Sequence, residues 1–163
     1  MSAAGGSPPA ELPARERARF WRDPALPGLD MLDATFVTHR FAPHAHETYA
    51  IGVCLSGAEG FRHGRGDYVL TPGRVVTVNP DEVHTGEAAA PEGWEYRMFY
   101  PHPDMVRRLL GLEEAATPRF AAPLAEDAQA AAGLARLHAA LCGPAALPLG
   151  LARTALFTEA FAG

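Results

Sequence analysis

From Ala34 to Tyr100, apolar and polar residues alternate in short runs broken by Gly, Pro, Asn and Asp, the rhythm of an all-β sandwich or barrel. It predicts strands near 34–41, 46–56, 59–62, 67–70, 74–79, 83–87 and 94–100. The breaks carry turn chemistry: Ser56-Gly57, His63-Gly64-Arg65-Gly66-Asp67, Thr71-Pro72-Gly73, Asn79-Pro80-Asp81 and Pro91-Glu92-Gly93. Strands so short and so regular suit a jelly roll.

After Tyr100 the period lengthens. Pro103 suits the first turn of a helix running to about Leu110, with Gly111 placed to end it. A second helix is predicted from Glu126-Asp127 to Gly143-Pro144, with Leu134, Leu137 and Leu141 on one face. A third is predicted near 148–161, with Ala152, Leu156 and Ala160 along its stripe. Residues 1–18 show no apolar periodicity and read as a loose arm, whereas Phe20 and Trp21 are expected to pack onto the β domain as core. The organisation is thus an arm, a β domain over 19–101 and a helical dimerisation or linker region over 102–163.

Composition bounds the function. At 163 residues the chain holds one domain of ordinary size, and 48% hydrophobic with 20% charged residues is ordinary for a globular protein. The net charge is −5, all fourteen basic residues are Arg, and no helix carries a basic stripe. The footprint needed to hold a phosphate backbone is therefore missing from this chain. Two cysteines, and no apolar run approaching a membrane span or a signal segment, make a reducing cytoplasm the expected home and no membrane an expected partner.

The candidate chemistry begins at His44-Ala45-His46. Two residues apart in a strand share a face, roughly 6.6 Å apart along it, so both imidazoles can converge on one point. If that alternation continues, Thr48, Ala50, Gly52 and Cys54 line the same side. These are small residues that leave room for a ligand, unless bulky residues from other strands fill it. The strand from Trp94 to Tyr100 offers one face of Trp94, Tyr96, Met98 and Tyr100 and another of Glu95, Arg97 and Phe99. The first face is favoured for the interior, with Tyr96 and Met98 as ligand contacts. An inward Arg97 would call for an anionic ligand, and an outward Arg97 would be exposed.

Several segments together resemble a known family. The run Phe41-Ala42-Pro43-His44-Ala45-His46-Glu47-Thr48-Tyr49-Ala50-Ile51-Gly52 is followed by Gly57, Thr71-Pro72-Gly73, Pro80-Asp81-Glu82-Val83-His84-Thr85-Gly86 and Gly93-Trp94-Glu95-Tyr96-Arg97-Met98-Phe99-Tyr100-Pro101. This pattern is similar to the cupin barrel that forms the sensor half of AraC-type transcription regulators, and covers roughly residues 19–163. The resemblance implies a mainly β cupin jelly roll followed by two or three helices. It implies a cytoplasmic module that binds a small-molecule effector inside the barrel and forms a homodimer through a following helix. It also implies DNA binding through a C-terminal helix-turn-helix domain that this chain does not include.

The ligand-binding residues it implies are His44, His46, Thr48, His84, Tyr96 and Met98, and the dimerisation residues are Leu134, Leu137 and Leu141. No cofactor is required by that reading. A divalent metal (Zn, Ni or Fe) on His44, His46 and His84 is the alternative to three polar fixtures that bond backbone or ligand. Metal-binding cupins carry a carboxylate four or five residues past the second histidine, where this chain has Ala50 and Ile51. Glu47 follows His46 directly and faces the other way in a regular strand. Three imidazoles and a water remain a possible ligand set, and a metal-dependent cupin enzyme of oxygenase or isomerase type is the rival function. No catalytic residue is assigned, because no nucleophile–base pair, phosphate loop or paired carboxylate is recognisable.

Overall fold

The computed structural model describes residues 15–112 and 117–142. Its strands are β1 (Arg17–Arg22), β2 (Leu29–Phe36), β3 (Arg40–His44), β4 (Ala50–Gly57), β5 (Glu59–His63), β6 (Gly66–Leu70), β7 (Val75–Val78), β8 (His84–Ala88) and β9 (Trp94–Pro101). Helix α1 (Pro103–Leu110), strand β10 (Leu124–Ala125) and helix α2 (Ala128–Cys142) follow. All pairing is antiparallel, in a six-stranded sheet ordered β1-β2-β9-β4-β7-β10 and a four-stranded sheet ordered β3-β8-β5-β6.

The predicted turns sit where the strands end. Gly57, Gly73 and Gly93 all have positive φ. At Gly93 (φ +83°) a Cβ would lie 2.0 Å from the Phe36 carbonyl oxygen, so only glycine allows that close approach of two loops. Helix α1 begins with Pro103 and ends on Gly111 in the left-handed conformation, as the sequence predicts. Helix α2 begins after Asp127, whose carboxylate accepts from the Ala130 amide at 2.8 Å.

Three expectations need correction. The loose arm expected up to residue 18 ends sooner, since Arg17 and Ala18 already pair with Thr35 and Ala34 at the sheet edge. Glu16 fastens that edge by accepting from the Val37, Thr38 and His39 amides. The predicted strand 46–56 is interrupted, because the chain leaves β3 at His44 and re-enters pairing only at Ala50. Phe20 is not core but half exposed, although Trp21 does pack, edge-on to His138. The predicted helix at 148–161 lies outside the described residues.

The six-stranded sheet separates two apolar clusters because successive side chains of its strands face opposite ways. Leu32, Ala34, Phe36, Ala50, Cys54, Tyr96, Met98 and Tyr100 face the interior with Phe61 and Leu70 of the other sheet. Leu29, Met31, Ile51, Val53 and Phe99 face outward beneath Met105 of α1 and Leu134, Leu137 and Leu141 of α2. Those three leucines are 5%, 5% and 4% exposed within one chain. Within the chain this stripe covers its own sheet, one of the two surfaces that such a helix face can serve. No helix among the described residues is long and apolar enough to cross a membrane.

Candidate functional site

Between the sheets lies a cavity of about 70 Å³, lined by residues of both. Its histidine end is built by strand pairing. His44 on β3 stands directly opposite His84 on β8, and His84 in turn opposite His63 on β5. His46 arrives from the bend after β3, and all three rings meet: centroids are 4.4 Å apart for His44–His84, 4.9 Å for His44–His46 and 5.2 Å for His46–His84. One nitrogen from each of the three lies within 4.8 Å of the others.

Backbone carbonyls fix two of these rings. Nδ1–H of His44 donates to the Ala42 carbonyl at 2.8 Å, and Nδ1–H of His84 to the Glu82 carbonyl at 3.0 Å. A neutral imidazole that donates from Nδ1 carries its lone pair on Nε2. Burial pushes His46 down to about 4, helped by repulsion from His84 and His44. Burial likewise pushes His84 down to about 4, with His44 and His63 adding to it against the Glu82 carbonyl. Both are neutral near pH 7, the form that ligates or accepts. Nδ1 of His46 is buried and has no hydrogen-bond partner among the described residues.

This cluster fits a divalent ion. Carbonyl-anchored imidazoles are the usual support of a metal-ligating histidine, and three nitrogens within one short span match a three-imidazole set. Among the described residues no carboxylate joins the group. Ala50, at the position where a cupin carboxylate is expected, lines the cavity with a methyl group instead.

Tyr96, Met98 and Tyr100 line the cavity as the favoured face of β9 predicts. Arg97 faces the other way, where it forms ion pairs with Asp33 at 2.7 Å and Glu95 at 3.0 Å with only 17% of its side chain exposed. It is neither an anion receptor inside the cavity nor a free surface group. Thr48 is a correction: it sits in the bend outside the cavity lining, and its buried Oγ1 has no partner among the described residues. The room expected along Ala50, Gly52 and Cys54 is partly taken, because a Cβ on Gly52 would lie 2.0 Å from the sulfur of Met98. Cys54 donates to the Ser56 carbonyl, and its thiol is pushed up to about 11 by burial and by Glu59, so it stays un-ionised.

Three residues were missed by the sequence reading. Phe20 reaches the cavity from the edge strand. His63 bonds the Glu82 carboxylate at 2.8 Å beside His84; burial pushes Glu82 up, but hydrogen bonds from His63 and Asn79 outweigh it and hold the carboxyl below its usual range. Glu59, at the start of β5, lines the cavity and is 8% exposed. Its alternation with Phe61 and His63 is the signal that would have found it.

Comparison with known proteins places this arrangement. The profile of the AraC-like ligand binding domain matches residues 26–161, and the chain belongs to that family. No curated protein sequence matches it. Solved structures similar to it include KdgF from Halomonas sp., with 20% identity and TM-score 0.47 over 59% of this chain and 89% of that one. A Cupin 2 conserved barrel domain protein from Salinispora arenicola has 18% identity and TM-score 0.49 over 66% and 96%. A cupin superfamily protein from Desulfitobacterium hafniense has 11% and 0.47 over 62% and 99%.

Proposed function

We propose that this chain is the effector-sensing module of an AraC-type transcription regulator, with the two sheets acting as a cupin jelly-roll barrel around the effector. The observation that carries this reading is the interior cavity with its polar end of His44, His46 and His84 and its wall of Tyr96, Met98 and Tyr100, in a chain of a ligand-binding family. Its output is DNA binding by a linked helix-turn-helix domain, working as a homodimer in the cytoplasm. An effector shifts the module only as far as it binds one conformation better than another. Thermal denaturation across a panel of small polar compounds tests this. A compound that raises Tm should lose its effect in Phe61→Trp, which fills the cavity; unchanged stabilisation in that variant would refute an interior site.

The histidine cluster favours a second reading. His44, His46 and His84 would hold a divalent ion, which would supply Lewis acidity beside the cavity, as in a metal-dependent cupin enzyme. In that reading the carbonyls of Ala42 and Glu82 orient the first and last of these rings, and Tyr100, 5.3 Å from the His46 ring, excludes water from one side.

A further inference from the structure

Glu59 is the charged side chain that the effector reading leaves without a role. It lies on the inward side of β5, and among the described residues its carboxylate makes no hydrogen bond, burial being the one influence on its protonation. It leans across β8, where a Cβ on Gly86 would come within 2.6 Å of Oε1, so glycine at 86 leaves the carboxylate its space. Burying a carboxylate without a partner is costly, and a well-adapted apolar wall would avoid it.

The wall supplies no counterion. Among the described residues no arginine lines the cavity. Arg62, the neighbour of Phe61, turns outward to Asp67 at 3.0 Å, and Arg97 turns outward to Asp33 and Glu95. The titratable groups around Glu59 are Tyr96 and Tyr100 of β9, Cys54 of β4, and the imidazoles of His44, His46 and His84 on the same cavity wall; burial keeps the tyrosines and the thiol protonated and holds His46 and His84 neutral. An anion entering this cavity meets one carboxyl and no guanidinium. A cation meets that carboxyl, the neutral imidazoles of His46 and His84 and the rings of Phe41, Phe61 and Tyr100.

We propose that the effector carries a cationic nitrogen, an alkylammonium head that pairs with Glu59, joined to a small apolar body. This rests on the reading of the cavity as the effector site and names the ligand class for it. The cavity of about 70 Å³ is roughly half the volume of the ~150 Å³ cavity known to take benzene, so the ligand, or the part that enters, has only a few heavy atoms. Burial holds Glu59 up at about 8. It therefore gives its proton to solvent as the ammonium arrives, and the bound state is an ion pair.

The test uses three probes of nearly equal shape: isobutylamine, isobutanol and isobutyrate. Binding is measured by protein-observed NMR titration at pH 7 with EDTA present, so that no amine can bind through a metal. The amine should bind the wild type roughly tenfold or more tighter than the alcohol, a charge-assisted bond replacing a neutral one, and isobutyrate should not bind. In Glu59→Gln the amine should fall to the level of the alcohol, whose own affinity persists, while Glu59→Asp should retain the amine preference. Alcohol or isobutyrate binding as tightly as the amine would overturn the cationic class and leave the effector cavity standing. Amine preference that survives in Glu59→Gln would overturn the role of Glu59. Binding by none of the three would remove both the class and the cavity reading, and that wild-type comparison needs no variant to fold.

Discussion

His44 and His84 face each other across the β3–β8 ladder in direct register, their rings 4.4 Å apart. Directly opposed side chains share a face, so the pairing of two strands, rather than any loop, determines that these imidazoles meet. His46 joins them from an irregular bend.

This geometry gives a metal prediction. Co(II), Ni(II) or Zn(II) added to metal-free protein should bind one ion per chain and raise Tm. His84→Ala should weaken binding by roughly tenfold or more, as loss of one ligand from a three-imidazole set requires. Calorimetry that finds no ion bound to the wild type, or equal affinity in His84→Ala, would show that the cluster serves as polar contacts for the effector alone.

Stability should depend on pH with two opposed slopes. Glu59 is raised to about 8 in the folded chain, so its unfolded form ionises first and stability falls as pH rises from about 4.5 through 8. His46 and His84 are depressed to about 4, so stability present above about 6.5 is lost as pH falls toward 4. Glu59→Gln should remove the first slope and leave the second. Relative to its own pH 5 value, the variant should gain on the wild type by roughly 2–5 kcal/mol at pH 8. Parallel urea curves for the two proteins at both pH values would contradict the burial of Glu59.

Met98 and Gly52 share one space, and removing either side of that arrangement should show it. Met98→Ala should cost about 2–4 kcal/mol and enlarge the cavity, so that a probe larger than isobutylamine binds. Gly52→Val should cost as much by forcing Met98 out of place. A Met98→Ala crystal structure with an unchanged interior would count against this packing.

The leucines of α2 give a fourth prediction. Leu137→Ala should destabilise the chain by about 2–4 kcal/mol without changing its oligomeric state, because Leu137 is buried within one chain. Sedimentation equilibrium that shows a dimer dissociating in this variant, with unfolding unaffected, would instead place these leucines at an interface between copies.

Much of the architecture was legible because turn residues mark where pairing stops. The predicted strands at 59–62, 67–70, 74–79, 83–87 and 94–100 match β5 to β9 within a residue or two. The helix ends at Gly111 and near Asp127 were legible for the same reason, cap chemistry being local. Strand β2 was not, since Leu29, Met31 and Leu32 are buried on both of its faces and leave little alternation to read. Thr48 was misplaced by extending strand alternation through residues that form no ladder. Glu59 was overlooked because a lone acidic residue in a short strand looks like surface until the register shows Phe61 and His63 on the same side. The leucine stripe was read correctly as amphipathic, but an amphipathic stripe does not say which surface it covers.

Strand β9 presents Met98 to the cavity and the adjacent Phe99 to the ring of His138 on α2. Cavity and helix are therefore separated by the thickness of a single backbone. Any guest that rests on the thioether therefore sits one residue along the strand from the packing of helix α2.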